Sequence, residues 1–386
     1  MTTNFSLFDQ EFELIRYPAK HQHKSLQAWD SADEYIIEQV RSQPQLNSDA
    51  ATPWLIFNDD FGALGCVFAN RQPLWISDSK IAELSLQENL SKNQLPSVTI
   101  QDCLATLPAN PALVIIKIPR TLALLESQLL ALRKVVTPDS QIVAGGKIKA
   151  ITRSVLNLFE RLIGPTTTSL AKKKSRLIFC QPQPDTLKRN APNPYPTSWE
   201  CRLPTGKTVE VCNHANVFSR QSLDIGARFL LKNMQVGQHD SVVDLGCGNG
   251  VLGLNALSMS ANCRVTFVDE SYMAVESARQ NVQHNFPEQL DQCTFVASNC
   301  LETLLVNPPL INKVFCNPPF HQQNAVTDHI AWQMFHDAYE LLGKGGHLIV
   351  VANRHLDYYH TLKRLFGGVT TLASHNKFVI FSAAKR

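Results

Sequence analysis

The segment Asn317 to Phe320 is the first candidate for chemistry, because its two prolines follow an apolar run that they cannot extend as a strand or helix. The side-chain oxygen of Asn317 and the backbone carbonyl of Pro318 can each accept one N–H of an amino group on a flat ring. Two such acceptors would turn the nitrogen lone pair, otherwise delocalised into the ring, toward an electrophile. Pro319 would stiffen the loop, and Phe320 would give the ring an apolar face on which to stack.

His321 and a second Asn-Pro-Pro segment are weaker candidates for the same site. His321 could assist proton removal, although a lone histidine is more often a structural hydrogen-bonding residue. The segment NPPL at 307–310 stands before the fourth predicted strand of its half and has no aromatic residue in fourth place. We assign it to a surface turn.

A glycine-rich segment, VVDLGCGNG at 242–250, follows a predicted strand and opens a predicted helix. Its glycines allow a tight turn close to a ligand, and the helix N-terminus offers free N–H groups. Asp244 could accept from an ammonium or a nearby amide, and Asp269, 25 residues later, could accept from both hydroxyls of a ribose. Nicotinamide and flavin enzymes use related glycine patterns, but dinucleotide enzymes lack the Asn-Pro-Pro-Phe segment after the fourth strand.

Short strand-like runs alternate with helical patterns in the C-terminal half and must position these residues. The strands read SVVDL, RVTFVDE, CTFVAS, KVFCN, HLIVVAN, VTTLAS and FVIFSA, and the helices read VLGLNALSM, MAVESARQNVQHN, AWQMFHDAYELL and YYHTLKRLF. This order predicts an α/β fold whose doubly wound sheet is mostly parallel and closes with an antiparallel hairpin.

The N-terminal half resembles the C-terminal half. Residues 61–79 align with 249–271, SLQENLSKN at 85–93 aligns with SARQNVQHN at 277–285, and 114–123 falls where VFCNPPFHQ stands. NDDFG replaces GCGNG and KIP replaces NPP, so the first copy lacks the residues of the predicted chemistry. We therefore expect the first copy to be degenerate and to bind substrate.

A proline-rich stretch separates the two copies. Between residues 181 and 200 the sequence holds five prolines and few aliphatic residues, and it is predicted to be an extended linker. The predicted organisation is a degenerate domain over 1–180, a linker over 181–200 and a catalytic domain over 201–386.

Basic residues are concentrated in one part of the chain. The whole chain carries +3, but the segment from Arg133 to Asn190 holds twelve Lys or Arg against three acids, which leaves the remainder net acidic. The concentration, including AKKKSR at 171–176, favours a polyanionic partner over a small metabolite.

Several classes of protein are disfavoured by the sequence. The ten cysteines are scattered without a CxxC pair, which predicts reduced thiols and no metal site. The longest apolar runs are too short to cross a bilayer, and the N-terminus has acids where a signal peptide needs an apolar core. We expect a soluble cytoplasmic protein with no membrane association and no evident obligate protein partner.

The glycine loop, the two aspartates and Asn-Pro-Pro-Phe together resemble the class I S-adenosylmethionine-dependent methyltransferases. The resemblance implies that S-adenosylmethionine is the cofactor and that Asp269 holds its ribose. It also implies an adenine neighbour, Asn299, and a loop by the cofactor, Asn216 to Ser219, that contains Phe218. The residues placed around the methionine part are Asp244, Gly246, Gly248 and Gly250.

Nearly the whole chain resembles the ribosomal RNA guanine-N2 methyltransferases. The features are Phe rather than Tyr after Asn-Pro-Pro, a degenerate copy in front, and the segment NHANVFSRQSLDIGARFLL at 213–231. FNDDFGALGC, GPTTTSLAKKKSR and VANRHLDYYHTLKRLFG are similar to the large-subunit branch, the 23S rRNA (guanine-1835-N2)-methyltransferases. The resemblance implies two tandem Rossmann-like class I methyltransferase domains, the first degenerate, acting on 23S ribosomal RNA.

Charge and position at strand ends give the residues expected to contact RNA. These are Lys172, Lys173, Lys174, Arg176, Arg354, His355 and Lys377.

Four alternatives remain open on the sequence. A guanine-N2 enzyme of 16S rRNA shares the motif. An adenine-N6 enzyme would carry a target-recognition insert and usually Tyr, and a glutamine-N5 enzyme would carry a small helical N-terminal domain. A non-catalytic RNA scaffold would not bind S-adenosylmethionine, which calorimetry can measure.

Overall fold

The computed structural model describes residues 3–7, 10–19, 26–43, 52–319 and 325–386, with the backbone alone for 325–328. The chain forms two compact units, Met1–Pro194 and Tyr195–Arg386. Among the described residues, no helix has the length and apolar character needed to cross a bilayer.

The first unit is a seven-stranded sheet with helices on its faces and a separate hairpin. The sheet order is β5-β4-β3-β6-β7-β9-β8, parallel except for β9, and β1 pairs with β2 in the hairpin. Its elements are β1 (Asn4–Leu7), β2 (Gln10–Glu13), α1 (Ser31–Arg41), β3 (Trp54–Phe57), α2 (Ala63–Val67), β4 (Leu74–Ile76), α3 (Lys80–Lys92), β5 (Thr99–Gln101), β6 (Leu113–Lys117), α4 (Leu122–Leu132), β7 (Gln141–Lys147), α5 (Arg153–Leu162), β8 (Thr166–Thr168), β9 (Ser175–Cys180) and α6 (Pro184–Lys188).

The second unit repeats this topology strand for strand. Its sheet order is β14-β13-β12-β15-β16-β18-β17, and β10 pairs with β11 in the hairpin. Its elements are β10 (Thr197–Arg202), β11 (Thr208–Asn213), α7 (Ile225–Leu231), β12 (Ser241–Leu245), α8 (Val251–Met259), β13 (Arg264–Asp269), α9 (Tyr272–Asn285), β14 (Cys293–Ala297), α10 (Glu302–Val306), β15 (Ile311–Cys316), α11 (Ala325–Leu341), β16 (Leu342–Asn353), α12 (Tyr358–Phe366), β17 (Thr370–Ser374) and β18 (Phe378–Ala384). The predicted pair of mostly parallel, doubly wound sheets is confirmed.

Alternating side chains of the central strands place a hydrophobic core on each face of the sheet. In the second unit Val242 and Phe315 belong to one core, while Val243 and Val314 belong to the other. Parallel strands buried on both faces read as continuous apolar runs, which is why SVVDL and KVFCN are strand signals. The strands therefore hold the loops at their carboxyl ends on a rigid support.

Two asparagines of α9 attach the hairpin of the second unit. Asn281 accepts from the backbone N–H of Cys212 at 2.7 Å and donates to its carbonyl at 2.8 Å. Asn285 makes the same pair of bonds with Glu210, at 3.0 and 2.8 Å. The amide side chains thus pair with β11 as a neighbouring strand would.

The first unit contains the same attachment. Asn89 of α3 bonds to the N–H and carbonyl of Ile15, both at 2.9 Å. Asn93 bonds to those of Glu13, at 2.8 and 2.9 Å. These contacts confirm the alignment of 85–93 with 277–285, so the two halves are repeats at the level of individual hydrogen bonds.

The segment 181–200 is not extended throughout, and that part of the linker prediction is wrong. Pro184–Lys188, in its first half, form α6, and the buried Arg133 side chain binds the C-terminal end of this helix. The guanidinium donates at 2.8 to 2.9 Å to three carbonyl oxygens, those of Thr186, Leu187 and Arg189. The boundary between the units falls later in the segment, between Pro194 and Tyr195.

Candidate active site

The glycine loop of the second unit links the carboxyl end of β12 to α8. Gly246, Gly248 and Gly250 have φ values of 70°, 53° and 78°, a region that residues with a β-carbon adopt at a cost. The N–H of Gly246 donates to the carbonyl of Val268 at 2.8 Å and fixes the loop against β13. The predicted tight turn is present.

The last two of these glycines serve different purposes. A β-carbon added at Gly250 would lie 2.9 Å from Cβ of Ala278 on α9, so this position needs glycine for packing. A β-carbon added at Gly248 would meet no heavy atom of the described structure within 4 Å. Space for a ligand therefore adjoins the backbone at Gly248.

Asp244 is buried beneath the loop. One carboxyl oxygen, Oδ2, accepts from the N–H of Gly253 at 2.9 Å, while Oδ1 has no partner among the described residues. Burial, with a further contribution from the charge of Asp269, raises the pKa of Asp244 to about 8. This carboxyl group is therefore mostly protonated at neutral pH.

Asp269 ends β13 beside the same loop. Its Oδ2 accepts from the N–H of Gly248 at 2.9 Å, and its Oδ1 accepts from the N–H of Ser271 at 3.0 Å. Burial raises its pKa. Backbone N–H groups thus hold the carboxylate rigidly beside the loop, where a carboxylate can accept hydroxyl groups.

Asn299 and Phe218 occupy different surroundings. Asn299 is buried after β14, and its Nδ2 donates to Oε1 of Glu302 at 2.9 Å. Phe218 lies between β11 and α7 with 63% of its surface exposed. Asn299 is thus fixed by the protein at the loop edge of the sheet, whereas the Phe218 ring is open to solvent.

Asn317 follows β15 at the edge where the glycine loop begins, since Cys316 pairs with Leu245 in the sheet. Its Nδ2 donates to Oδ2 of Asp224 at 3.2 Å. Its Oδ1 is buried and has no partner among the described residues. The donating end of the amide is used in the contact with Asp224. The accepting Oδ1 is the atom that the sequence analysis predicts will bind an amino group.

The rest of the predicted catalytic segment is only partly described. Pro318 is buried and Pro319 is exposed. Phe320 and His321 lie outside the described residues.

Sequence reasoning missed Asp224. This residue is the N-cap of α7, where its Oδ2 also accepts from the N–H of Ala227 at 2.9 Å. An aspartate at the start of a helix is a recognisable capping signal. Its contact with Asn317, 93 positions away, had no signal in the sequence.

The NPPL segment lies where it was predicted. Residues 307–310 are exposed between α10 and the start of β15, and Leu310 has 84% of its surface exposed. They therefore stand at the edge of the sheet opposite Asn317. Across the described ranges, no group of three or more His, Cys, Asp or Glu is arranged to hold a metal ion.

Two family descriptions match the two halves of this chain. Residues 2–184 match the RLMG N-terminal domain, and residues 208–382 match the methyltransferase small domain. Proteins named ribosomal RNA large subunit methyltransferase G are 57% identical in Alteromonas mediterranea and 53% identical in Pseudoalteromonas atlantica, each over 100% of both chains. The chain belongs to the ribosomal RNA large subunit methyltransferase G family.

A solved structure shows the same two-unit fold as this methyltransferase G family member. It is the 16S rRNA N2 G1207 methyltransferase of T. thermophilus in complex with AdoMet and guanosine. The TM-score is 0.75 at 18% identity, and the match covers 100% of this chain and 98% of that one. The prediction of tandem methyltransferase folds is confirmed.

In this family member the first unit has lost most of the predicted site residues, although Gly62 and Pro119 remain at the positions of Gly250 and Pro319. The strand pairings fix the equivalent positions in the two units. Phe57 pairs with Ile76 and Ile116 in the first sheet. Leu245 pairs with Val268 and Cys316 at the same places in the second. Ile56 stands for Asp244, Asn58 for Gly246, Asp60 for Gly248, Ser77 for Asp269 and Lys117 for Asn317.

In the first unit an ion pair occupies the position that corresponds to Asn317. The buried Lys117 places its Nζ 2.6 Å from Asp33 and 3.2 Å from Asp30, and Asp30 is the N-cap of α1 as Asp224 is of α7. Burial lowers the pKa of Lys117, but the two carboxylates outweigh it and raise the pKa overall. The first unit therefore satisfies its own polar groups where the second leaves acceptors open.

Two of the lysines predicted to contact RNA are paired within the protein. Lys172 forms an ion pair with Glu38, and Lys173 Nζ lies 2.6 Å from Glu34 Oε2, both acids being on α1. Both lysine side chains remain exposed, so their contact with RNA stays a prediction, with part of their charge balanced by α1. Lys174 is exposed and has no ion pair in the described parts of the chain, and Arg176 is half-buried.

Arg354 and Lys377 lie at the same sheet edge as Asn317. The N–H of Arg354 donates to the carbonyl of Lys377 at 3.0 Å, and both side chains are exposed, as is His355. In the first unit the N–H of Ile148 donates to the carbonyl of Lys174, also at 3.0 Å. The turns that contain Lys377 and Lys174 therefore occupy equivalent positions in the two repeats.

Helix α1 and the region of α7, which follow the capping aspartates, carry side chains of opposite charge. Counted from their capping aspartates, Glu34 and Glu38 on α1 correspond to Arg228 and Lys232 at α7. Arg228 and Lys232 are both exposed. The helix after the capping aspartate therefore presents two basic residues in the second unit and two acidic residues in the first.

Proposed function

We propose that this protein transfers a methyl group from S-adenosylmethionine to the exocyclic N2 amine of a guanine in 23S ribosomal RNA. The observation that carries the proposal is the buried Oδ1 of Asn317 beside the glycine loop, which has no partner in the described parts of the chain. The names of the relatives support a large-subunit RNA substrate. The guanine implied by the sequence resemblance is position 1835, and the compartment is the cytoplasm.

The residues of the second unit fit S-adenosylmethionine. Gly248 leaves open space beside its backbone, and Asp269 is held where a carboxylate can accept ribose hydroxyls. Asp244 would lie beneath the methionine part, Asn299 near the adenine, and Phe218 in a loop beside the cofactor. When bound, the cofactor supplies an activated methyl group on a sulfonium, so the protein needs no strong base.

The contribution of the protein is to orient the amine. Oδ1 of Asn317 accepts one N–H and the carbonyl of Pro318 accepts the other, which turns the lone pair toward the donor. Phe320 stacks on the base. In-line orientation would supply much of the rate, and the amine would release its proton to solvent after, or late in, the transfer.

We further propose that the first unit recognises RNA while the second holds the cofactor. The first unit has replaced the site residues with an internal ion pair and keeps an exposed basic turn at Lys174. Lys172, Lys173 and Arg176 would contact the RNA together with Lys174. In the second unit, Arg354 and Lys377 would contact RNA beside the active site.

Mass mapping of nuclease fragments tests the reaction. RNA lacking the modification is incubated with the protein and S-adenosylmethionine, and 23S and 16S rRNA are compared. One additional methyl group on N2 of a single 23S guanine is expected. Methylation of 16S rRNA alone would replace the proposal with its 16S alternative, and the absence of cofactor binding by calorimetry would favour a scaffold.

We expect the affinity for S-adenosylmethionine to increase by up to about tenfold as the pH rises from about 6 to about 7.5. The raised pKa of about 8 keeps Asp244 protonated in the free protein, and a net cationic ligand favours its ionised form. The titratable neighbours are Asp269, Cys247 and Cys316, and both thiols have pKa values raised by burial and stay neutral in this window.

Calorimetry at a series of pH values measures this dependence. The range stays below the α-amino pKa of the ligand, at about 8. Asp244→Asn is the control and should bind with little pH dependence. Equal slopes for the two proteins would exclude Asp244 as the titrating group.

We expect Lys174→Ala, and separately Arg354→Ala with Lys377→Ala, to weaken RNA binding and to reduce its salt slope by about one per lost phosphate contact. Lys172→Ala is the matched control, and its effect should be smaller because Glu38 already neutralises this lysine. Binding is measured at several salt concentrations together with cofactor affinity. If cofactor affinity falls as far as RNA affinity in Lys174→Ala, the division of labour between the units is wrong.

A further inference from the structure

We propose that Asp224 is a positioning residue that fixes which end of the Asn317 amide faces the substrate. The proposal rests on the methyl transfer proposed above. It starts from the 3.2 Å hydrogen bond between Asn317 Nδ2 and Asp224 Oδ2.

The chemistry of the two side chains makes this contact directional. An asparagine amide has one accepting end and one donating end of almost the same shape, so its orientation depends on its partners. An ionised carboxylate can only accept, so Asp224 selects the donating Nδ2. The accepting Oδ1 is then left on the other side, where it is buried without a partner among the described residues.

Asp224 is itself held in place. The same carboxylate caps α7 through the N–H of Ala227 at 2.9 Å, so helix and active-site asparagine share one anchor. The first unit shows that the fold brings these positions together, because its capping Asp30 lies 3.2 Å from Lys117, the equivalent of Asn317. In both units the side chain at this equivalent position donates to the capping aspartate.

Orientation by Asp224 has two consequences for the substrate amine. A reversed amide would point N–H groups at the N–H groups of guanine and would remove one of the two acceptors. In the observed orientation, donation to a carboxylate also polarises the amide and makes Oδ1 a stronger acceptor. Both effects act on the amine during transfer and not on the cofactor.

Asp224→Asn separates this role from capping. Asparagine caps a helix about as well as aspartate, but it can donate as well as accept and therefore no longer selects one amide orientation. We expect kcat to fall by about tenfold to a hundredfold, with the melting temperature and the Kd of S-adenosylmethionine little changed. Asp30→Asn removes the same charge from the equivalent cap of the first unit and should leave kcat unchanged.

A double-mutant cycle with Asn317→Ala shows whether Asp224 acts through Asn317. The expected result is that Asp224→Asn costs almost nothing in a protein that already lacks the asparagine amide. An equal loss of kcat in both backgrounds, or a loss of stability that parallels the loss of rate, would overturn the proposal. The cycle is interpreted only against a wild type that methylates 23S rRNA.

A measurement independent of activity keeps the two proposals distinguishable. In an amide nitrogen-15 spectrum, the Asn317 side-chain protons should shift when Asp224→Asn removes the carboxylate acceptor. If the wild type does not methylate guanine but the shift is seen, the proposed function fails and the orienting contact stands. An unchanged signal excludes the contact whatever the reaction is.

Discussion

Replacement of Asn317 by alanine is expected to lower kcat by about a hundredfold or more while S-adenosylmethionine binds with unchanged affinity. The variant removes the buried Oδ1, which no described residue occupies and which we propose accepts from the substrate amine. Loss of one preorganised group that stabilises the transition state typically has an effect of this size. Single-turnover methylation of 23S rRNA measures the rate, and calorimetry measures cofactor binding.

The chain offers a matched control in its second Asn-Pro-Pro segment. Asn307 is exposed at the opposite edge of the sheet, so Asn307→Ala should retain the wild-type kcat and melting temperature. A similar loss of rate in both variants would show that the motif acts through folding. A wild-type rate in Asn317→Ala would remove the basis of the proposed function.

Replacement of Lys117 by alanine is expected to destabilise the protein by about 3–5 kcal/mol, because it leaves buried Asp33 without its cation. Denaturant unfolding followed by circular dichroism measures this loss. The loss should be smaller at acidic pH, where Asp33 and Asp30 can take up protons. Cofactor binding should survive under native conditions, since the ion pair belongs to the first unit.

Two controls identify the buried ion pair as the cause. Lys80→Ala breaks a more exposed pair with Glu83, at 2.7 Å, and should cost less than about 1 kcal/mol. Replacing Lys117 by Met together with Asp33 by Leu should restore much of the lost stability, because no uncompensated charge then remains at that pair. Equal losses in Lys117→Ala and Lys80→Ala would contradict the assigned role.

The repeated fold was predictable because its periodicities are local. Strand-like runs separated by helical patterns gave both sheets, and the alignment of 85–93 with 277–285 located the asparagines that attach each hairpin. The glycine loop was also predictable, since three glycines between a strand and a helix have few other uses.

The remaining features depend on partners distant in sequence. A count of charges could not show that Lys172 and Lys173 pair with Glu38 and Glu34, which are 134 and 139 positions away. For the same reason the bond between Asp224 and Asn317 was invisible until the sheet brought the two together. Spacing identifies which residues can react, whereas only the packed structure shows which polar groups remain unsatisfied.

The ion pair in the first unit has an evolutionary consequence. A single reversion of Lys117 to asparagine would strand Asp33 in the core without its cation, so the first step toward a second active site loses stability before it gains any activity. Restoring the neighbouring loop would require further changes that are useless until all are present. The buried lysine thus makes the conversion of this unit into a second catalytic centre costly in stability.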